Sequence, residues 1–126
     1  MYGEGNDDLV IFSYGNGVPM SLRAARSIER AHGWKVRVID LRWLVPLNDA
    51  WIAEQAKGAK RIIVVDEGRH SAGVGEGVIT ALVEAGLGNV PLRRVTGADT
   101  YTPLAGAALL VLPGDADVVA AAAELG

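Results

Sequence analysis

Between Asp66 and His70 the chain places two carboxylates, a guanidinium and an imidazole in five residues, "DEGRH". A carboxylate beside an imidazole is equipment for moving protons, and a neighbouring arginine could hold an anion. Glycines follow at once in "SAGVGEG" (71–77). A glycine-rich entry to a helix offers unbonded backbone N–H groups to a phosphate or carboxylate. Asp66, Glu67, Arg69 and His70 therefore form a candidate crevice site. A plainer reading is preferred: Asp66 and Glu67 are solvated or paired with Arg69, and His70 is a loop residue. One histidine without a second ligand does not make a metal site, and there are no cysteines to supply thiolates. No metal site is expected on this chain.

Other chemistries fit less well. "GVGEGV" has Gly-x-Gly-x-Gly spacing, and in "GNGVPM" Met20 stands where a dinucleotide fingerprint needs its third glycine. Neither a G-x-x-x-x-G-K-[ST] loop nor a G-x-S-x-G elbow occurs, so Ser13 and Ser71 lack the setting of a nucleophile.

The elements that must position these residues alternate in period. "DLVIFSYG" (8–15) is a nearly continuous apolar run, as in a strand buried on both faces. Residues 18–31 switch to helical spacing, with Val18, Leu22, Ala25 and Ile28 on one face and Arg23, Arg26 and Arg30 on another. Pro19 suits the first turn, and His32-Gly33 is a stop signal. "WKVRVIDL" (34–41) alternates as a strand. Asn48 is placed to cap a second helix, with Leu47 and Ile52 as its staple. "KRIIVVDE" (60–67) is a third strand with four β-branched residues in a row. A third helix spans about 74–85, with Val74, Val78, Ala81, Leu82 and Ala85 inward. "VPLRRVTG" (90–97) is a fourth strand. "ADTYTPLAG" is a loop, "AALLVLP" is ambiguous, and "GDADVVAAAAEL" closes as a helix capped by Gly114 or Asp115. Strand then helix, four times, means an α/β fold, a parallel sheet covered by helices on both faces.

Two surface patterns remain. Gly73, Gly77 and Ala81 make a small-residue stripe, which invites another backbone to pass closely, either within the domain or from a partner subunit. The Arg23–Arg26–Arg30 stripe reads as a solvated face, with Glu29 within pairing distance of Arg26.

Composition narrows the classes. A net charge of −3 over 126 residues opposes nucleic-acid binding. There is no apolar run long enough to span a membrane, and "MYGEGNDD" is no secretory signal. A cytoplasmic location fits.

Taken together, "DDLVIFSYGNGVPMSLRAA", "GWKVRVIDLRWLVPLN", "AKRIIVVDEGRHSAGVGEGV" and "GADTYTPLAGAALLVLP" resemble the carboxyl-terminal domain of transketolase-like enzymes. The nearest resemblance is to the beta subunit, or beta half, of thiamine diphosphate-dependent 2-oxo acid dehydrogenases. It covers about Asp7 to Leu125. It implies a three-layer α/β/α fold whose mainly parallel sheet has this chain's strands in the order 2-1-3-4. The family's antiparallel edge strand would be truncated here, with 1–6 a linker or tag remnant and 7–126 the domain. The switch point would then lie beside Tyr14, Gly15, Asn16 and Gly17 on one side and Asp66–His70 on the other.

In the resembled enzymes, thiamine diphosphate and magnesium sit between other domains, so this domain should bind neither. The implied role is non-catalytic: subunit assembly, homo-oligomerisation through the parent oxidoreductase, and docking of a basic acyltransferase component. Glu84, Asp115, Asp117 and Glu124 are the candidate acidic contacts, and Gly73, Gly77 and Ala81 the candidate interface. Two alternatives stay open: a stand-alone ligand-binding or hydrolytic α/β protein using Asp66 and His70, and the same domain from a transketolase-type enzyme.

Overall fold

The computed structural model describes residues 8–15, 17–41, 48–66, 74–96 and 115–126. Four strands, β1 (Leu9–Ser13), β2 (Val36–Asp40), β3 (Ile62–Asp66) and β4 (Leu92–Thr96), alternate with four helices, α1 (Gly17–His32), α2 (Asp49–Ala56), α3 (Val74–Glu84) and α4 (Asp115–Leu125). The expected α/β architecture and strand order are both found: the sheet runs β2-β1-β3-β4, with every neighbouring pair parallel.

The layers follow from the chain path. The step from β1 to β2 runs one way across the sheet, and the later steps run the other way. With one crossover hand, α1 must lie opposite α2 and α3. Two cores result, one on each face. Leu9, Ile11, Val36, Val38, Ile63 and Val65 pack with α1 and α4. Val10, Phe12, Ile39, Ile62 and Val64 pack with α2 and α3. Alternate residues of one strand thus serve opposite cores, which is why β1 and β3 read as unbroken apolar runs. Leu9 through Phe12 are all fully buried, and each such side chain contributes about 1.5–3 kcal/mol of transfer free energy.

Local signals place the helix ends. Asn48 Oδ1 accepts the Trp51 N–H at 3.0 Å, the expected N-cap of α2, and Ile52 is buried; Leu47 lies outside the described residues. Gly33 takes φ +70° after α1, and its N–H bonds the Glu29 carbonyl at 2.9 Å.

The buried arc of α1 differs from the expected one. It comprises Gly17, Met20, Ser21, Ala24, Ala25 and Ile28, while Val18 and Leu22 are only partly buried. The reason is that α1 packs on α4 as well as on the sheet. Ala85 also departs from expectation: it follows the last residue of α3 and is exposed. Arg23, Arg26 and Arg30 are exposed as read.

Candidate functional site

A doubly wound sheet opens a crevice at the carboxyl ends of the two strands whose connections leave in opposite directions. Here those strands are β1 and β3. β1 ends in Ser13, followed by Tyr14 and Gly15, and α1 begins at Gly17. β3 ends in Asp66.

The polar atoms at this point are bonded to one another. The Tyr14 phenol donates to Asp66 Oδ1 at 2.6 Å, bridging residues 52 apart in the chain. Asp66 is 1% exposed, and a carboxylate this deep needs such donors. Tyr14 and Asp66 both lie on the α2/α3 side, the parity that β1 and β3 dictate. On the other side the Ser13 hydroxyl donates to the Val65 carbonyl at 3.0 Å, fully buried.

Gly17 opens α1 directly above that hydroxyl. A Cβ at 17 would collide with Ser13 Oγ and touch Val65 Cγ1 at 3.4 Å. Gly15 supplies the turn with φ +57°, and the N–H groups of Gly17 and Val18 bond the carbonyls of Tyr14 and Gly15 at 3.1 and 3.2 Å. The tight strand-to-helix turn therefore rests on a serine and a glycine four residues apart.

Of the sequence-derived crevice residues, the structure brings together Tyr14, Gly15, Gly17 and Asp66. Asn16, Glu67, Arg69 and His70 lie outside the described residues. Among the described residues no group of three His, Cys, Asp or Glu side chains could hold a metal ion, and no helix is long and apolar enough to cross a membrane.

In the small-residue stripe, Gly77 is exposed whereas Ala81, one turn further along α3, is buried; Gly73 lies outside the described residues. The carboxylates are also dispersed. Glu84 ends α3, in the α2/α3 layer, where helices finish beside the amino ends of the strands. Asp117 lies in the first turn of α4, in the opposite layer and at the opposite end of the sheet. Glu124 pairs with Arg93 at 2.9 Å, both exposed. Asp115 opens α4. Glu84 and Asp117 do not form one patch.

Two arginines carry structure that the sequence reading did not single out. Arg61 lays its guanidinium 3.8 Å from the centroid of the Trp34 ring, while Nε and Nη1 donate to the carbonyls of Leu125 and Asp8, each at 3.3 Å. His32 stacks on the same Trp34, with centroids 4.3 Å apart. Arg37, nearly buried on β2, donates to the Gln55 side chain at 3.2 Å and to the Gln55 carbonyl, answering the negative end of α2. Beside Arg61, the Lys35 N–H and the Lys60 ammonium hold Asp8 at 2.9 and 3.2 Å, which lowers its pKa below the usual 3.8. The one sequence signal for Arg61 was its place at the head of a β-branched run.

The comparisons with known proteins agree with this geometry. Residues 3–114 match the family model described as transketolase, C-terminal domain. The chain is 37% identical over 123 residues to the pyruvate dehydrogenase E1 component subunit beta of Staphylococcus aureus, covering 96% of this chain and 37% of that protein. It is 36% identical over 118 residues to the protein of the same name from Staphylococcus epidermidis, covering 92% of this chain and 36% of the relative. The chain thus spans little more than a third of the length of these relatives. Among solved structures it superposes on a chain described as "Split gene transketolase, inactive beta4 tetramer", with a TM-score of 0.78 and 25% identity, over 95% of this chain and 38% of that one. The sheet order, the switch-point turn and the match over residues 3–114 place the chain in the transketolase C-terminal domain family.

Proposed function

We propose that this chain is the non-catalytic assembly and partner-docking domain of a thiamine diphosphate-dependent 2-oxo acid dehydrogenase, on the beta side of its decarboxylating component. The observation that carries the reading is the self-bonded switch point. Where a doubly wound protein would present reactive groups, Tyr14 and Asp66 bond each other and Ser13 bonds the strand backbone. The described residues do not fit a magnesium–diphosphate group, because they contain no three-ligand cluster and Asp66 already accepts the Tyr14 phenol. No chemical step is assigned to the described residues. In this reading thiamine diphosphate and magnesium are held by other parts of the parent enzyme.

The relatives' printed name, a subunit of the pyruvate dehydrogenase E1 component, supports a role in assembly, as does the tetramer named for the similar structure. Docking of a basic acyltransferase domain would use exposed carboxylates, mainly through the association rate. Because Glu84 and Asp117 sit in opposite layers, one such domain can engage only one of them.

The test pairs two measurements. Calorimetric titration of the chain with thiamine diphosphate and magnesium should give no saturable heat, and micromolar binding would overturn the reading. An immobilised acyltransferase docking domain should bind the parent assembly, weakening as salt rises. One of Glu84→Lys and Asp117→Lys, not both, should weaken it. Salt-independent binding that ignores both reversals refutes the acidic docking face.

A further inference from the structure

Asn16 is followed by Gly17, and no other asparagine of the chain precedes a glycine: Asn6, Asn48 and Asn89 precede Asp7, Asp49 and Val90. An Asn-Gly bond reacts spontaneously in water. The Gly17 backbone nitrogen attacks Asn16 Cγ, since glycine has no Cβ to obstruct the approach. The new N–C bond closes a five-membered imide, and the side-chain amide leaves as ammonia, taking the Gly17 N–H proton. Water then opens the ring at either carbonyl. One product is an ordinary aspartyl bond. The other is an isoaspartyl bond, in which the chain runs through the former side chain and gains one backbone carbon.

Asn16 itself lies outside the described residues, but the attacking nitrogen does not. The Gly17 N–H donates to the Tyr14 carbonyl at 3.1 Å, and the next N–H, of Val18, donates to the Gly15 carbonyl at 3.2 Å. An N–H held in this way is harder to deprotonate and is not free to swing toward Cγ. Attack therefore requires the turn into α1 to open locally. Gly15 sets the conformation of that turn at φ +57°, and an added Cβ there would have nothing within 4 Å.

The two products act on the turn in opposite ways. Position 16 immediately precedes α1, where aspartate serves as well as asparagine and its charge suits the positive end of the helix. The isoaspartyl bond instead lengthens the path into Gly17 by about 1.5 Å. Gly17 has no slack to absorb it, being buried against Ser13 Oγ and Val65 Cγ1. We propose that Asn16–Gly17 is a spontaneous deamidation site whose rate is set by opening of the α1 turn, and whose isoaspartyl product cannot re-form that turn. Water is the only co-reactant, and the proposal is independent of the assembly role above.

The full chain and a peptide of sequence SYGNGVPM, incubated side by side at neutral pH, test it. Mass spectrometry follows ammonia loss, and an isoaspartyl methyltransferase reports the isoaspartyl product. Opening breaks two hydrogen bonds, so the folded chain should react roughly tenfold to a hundredfold more slowly than the peptide. Gly15→Ala forces a side chain into the left-handed region and should speed the folded-state reaction roughly tenfold while leaving the rate in urea unchanged. The parent chain in sub-denaturing urea gives the same test without a substitution, its rate climbing toward that of the peptide. Asn16→Ser should abolish the reaction. Asn16→Asp carries the new charge without the extra backbone atom and should keep the parent Tm, whereas the purified isoaspartyl chain should melt lower.

A folded chain that reacts as fast as the peptide overturns the proposal. So does a folded-state rate unmoved by Gly15→Ala and by urea, ammonia loss that persists in Asn16→Ser, or an isoaspartyl chain with the parent Tm.

Discussion

Gly17→Ala tests the strand-to-helix turn most directly. The new methyl group would occupy the place of Ser13 Oγ, so the serine must rotate or the helix must lift. Rotation is the cheaper response, because Ser13 Oγ ends a short side chain. It breaks the 3.0 Å bond to the Val65 carbonyl inside a fully buried site. An abandoned buried polar group costs about 1–3 kcal/mol, and replacing glycine in a helix returns at most about 1 kcal/mol. The expected net loss is about 1–2 kcal/mol. For a domain of this size that corresponds to roughly 3–10 °C in Tm.

The diagnostic quantity is the coupling with Ser13. In a Ser13→Ala background the obstructing hydroxyl is gone, and the next atom, Ser13 Cβ, stands at an ordinary 3.6 Å. Gly17→Ala should then be nearly neutral, giving a coupling energy of about 1–2 kcal/mol in a double-mutant cycle. Urea unfolding of the four proteins, followed by circular dichroism, supplies the numbers. Equal losses for Gly17→Ala in both backgrounds would refute the steric account of this turn.

Three further perturbations probe the other contacts. Tyr14→Phe removes one donor from a carboxylate that is 1% exposed, and the urea midpoint should fall by the equivalent of about 1–3 kcal/mol; an unchanged midpoint means that the phenol adds nothing. Arg61→Lys keeps the charge but loses the planar fork over Trp34, so it should destabilise nearly as much as Arg61→Leu, and full stability in the lysine variant would show that charge alone suffices. Asp8 has its pKa lowered, first by the Lys35 N–H and then by Lys60, so its contribution is present above 3.8 and lost as pH falls through the folded value; Asp8→Asn should flatten the acid limb of the stability profile, and an identical limb would remove Asp8 from the account.

Much of the architecture is legible in local chemistry. The β-branched and apolar runs at 9–13 and 62–66 announce strands buried on both sides, since a strand between two helical layers has no polar face. The stop at His32-Gly33 and the cap at Asn48 depend on atoms within four residues, so they are readable without the fold. The two-layer arrangement follows from strand–helix alternation and one crossover hand.

What could not be read depends on which distant segments become neighbours. The Tyr14–Asp66 and Ser13–Val65 bonds each span 52 residues and exist only because β1 and β3 are adjacent. Arg61 draws together the starts of β1, β2 and β3 and the end of α4, and no local pattern encodes a meeting of four ends. Periodicity identified α1 as amphipathic, but contact with both the sheet and α4 set which arc is buried. The same packing separated Glu84 from Asp117: a helix repeat says which residues share a stripe, whereas the layer and direction of each helix decide what that stripe meets.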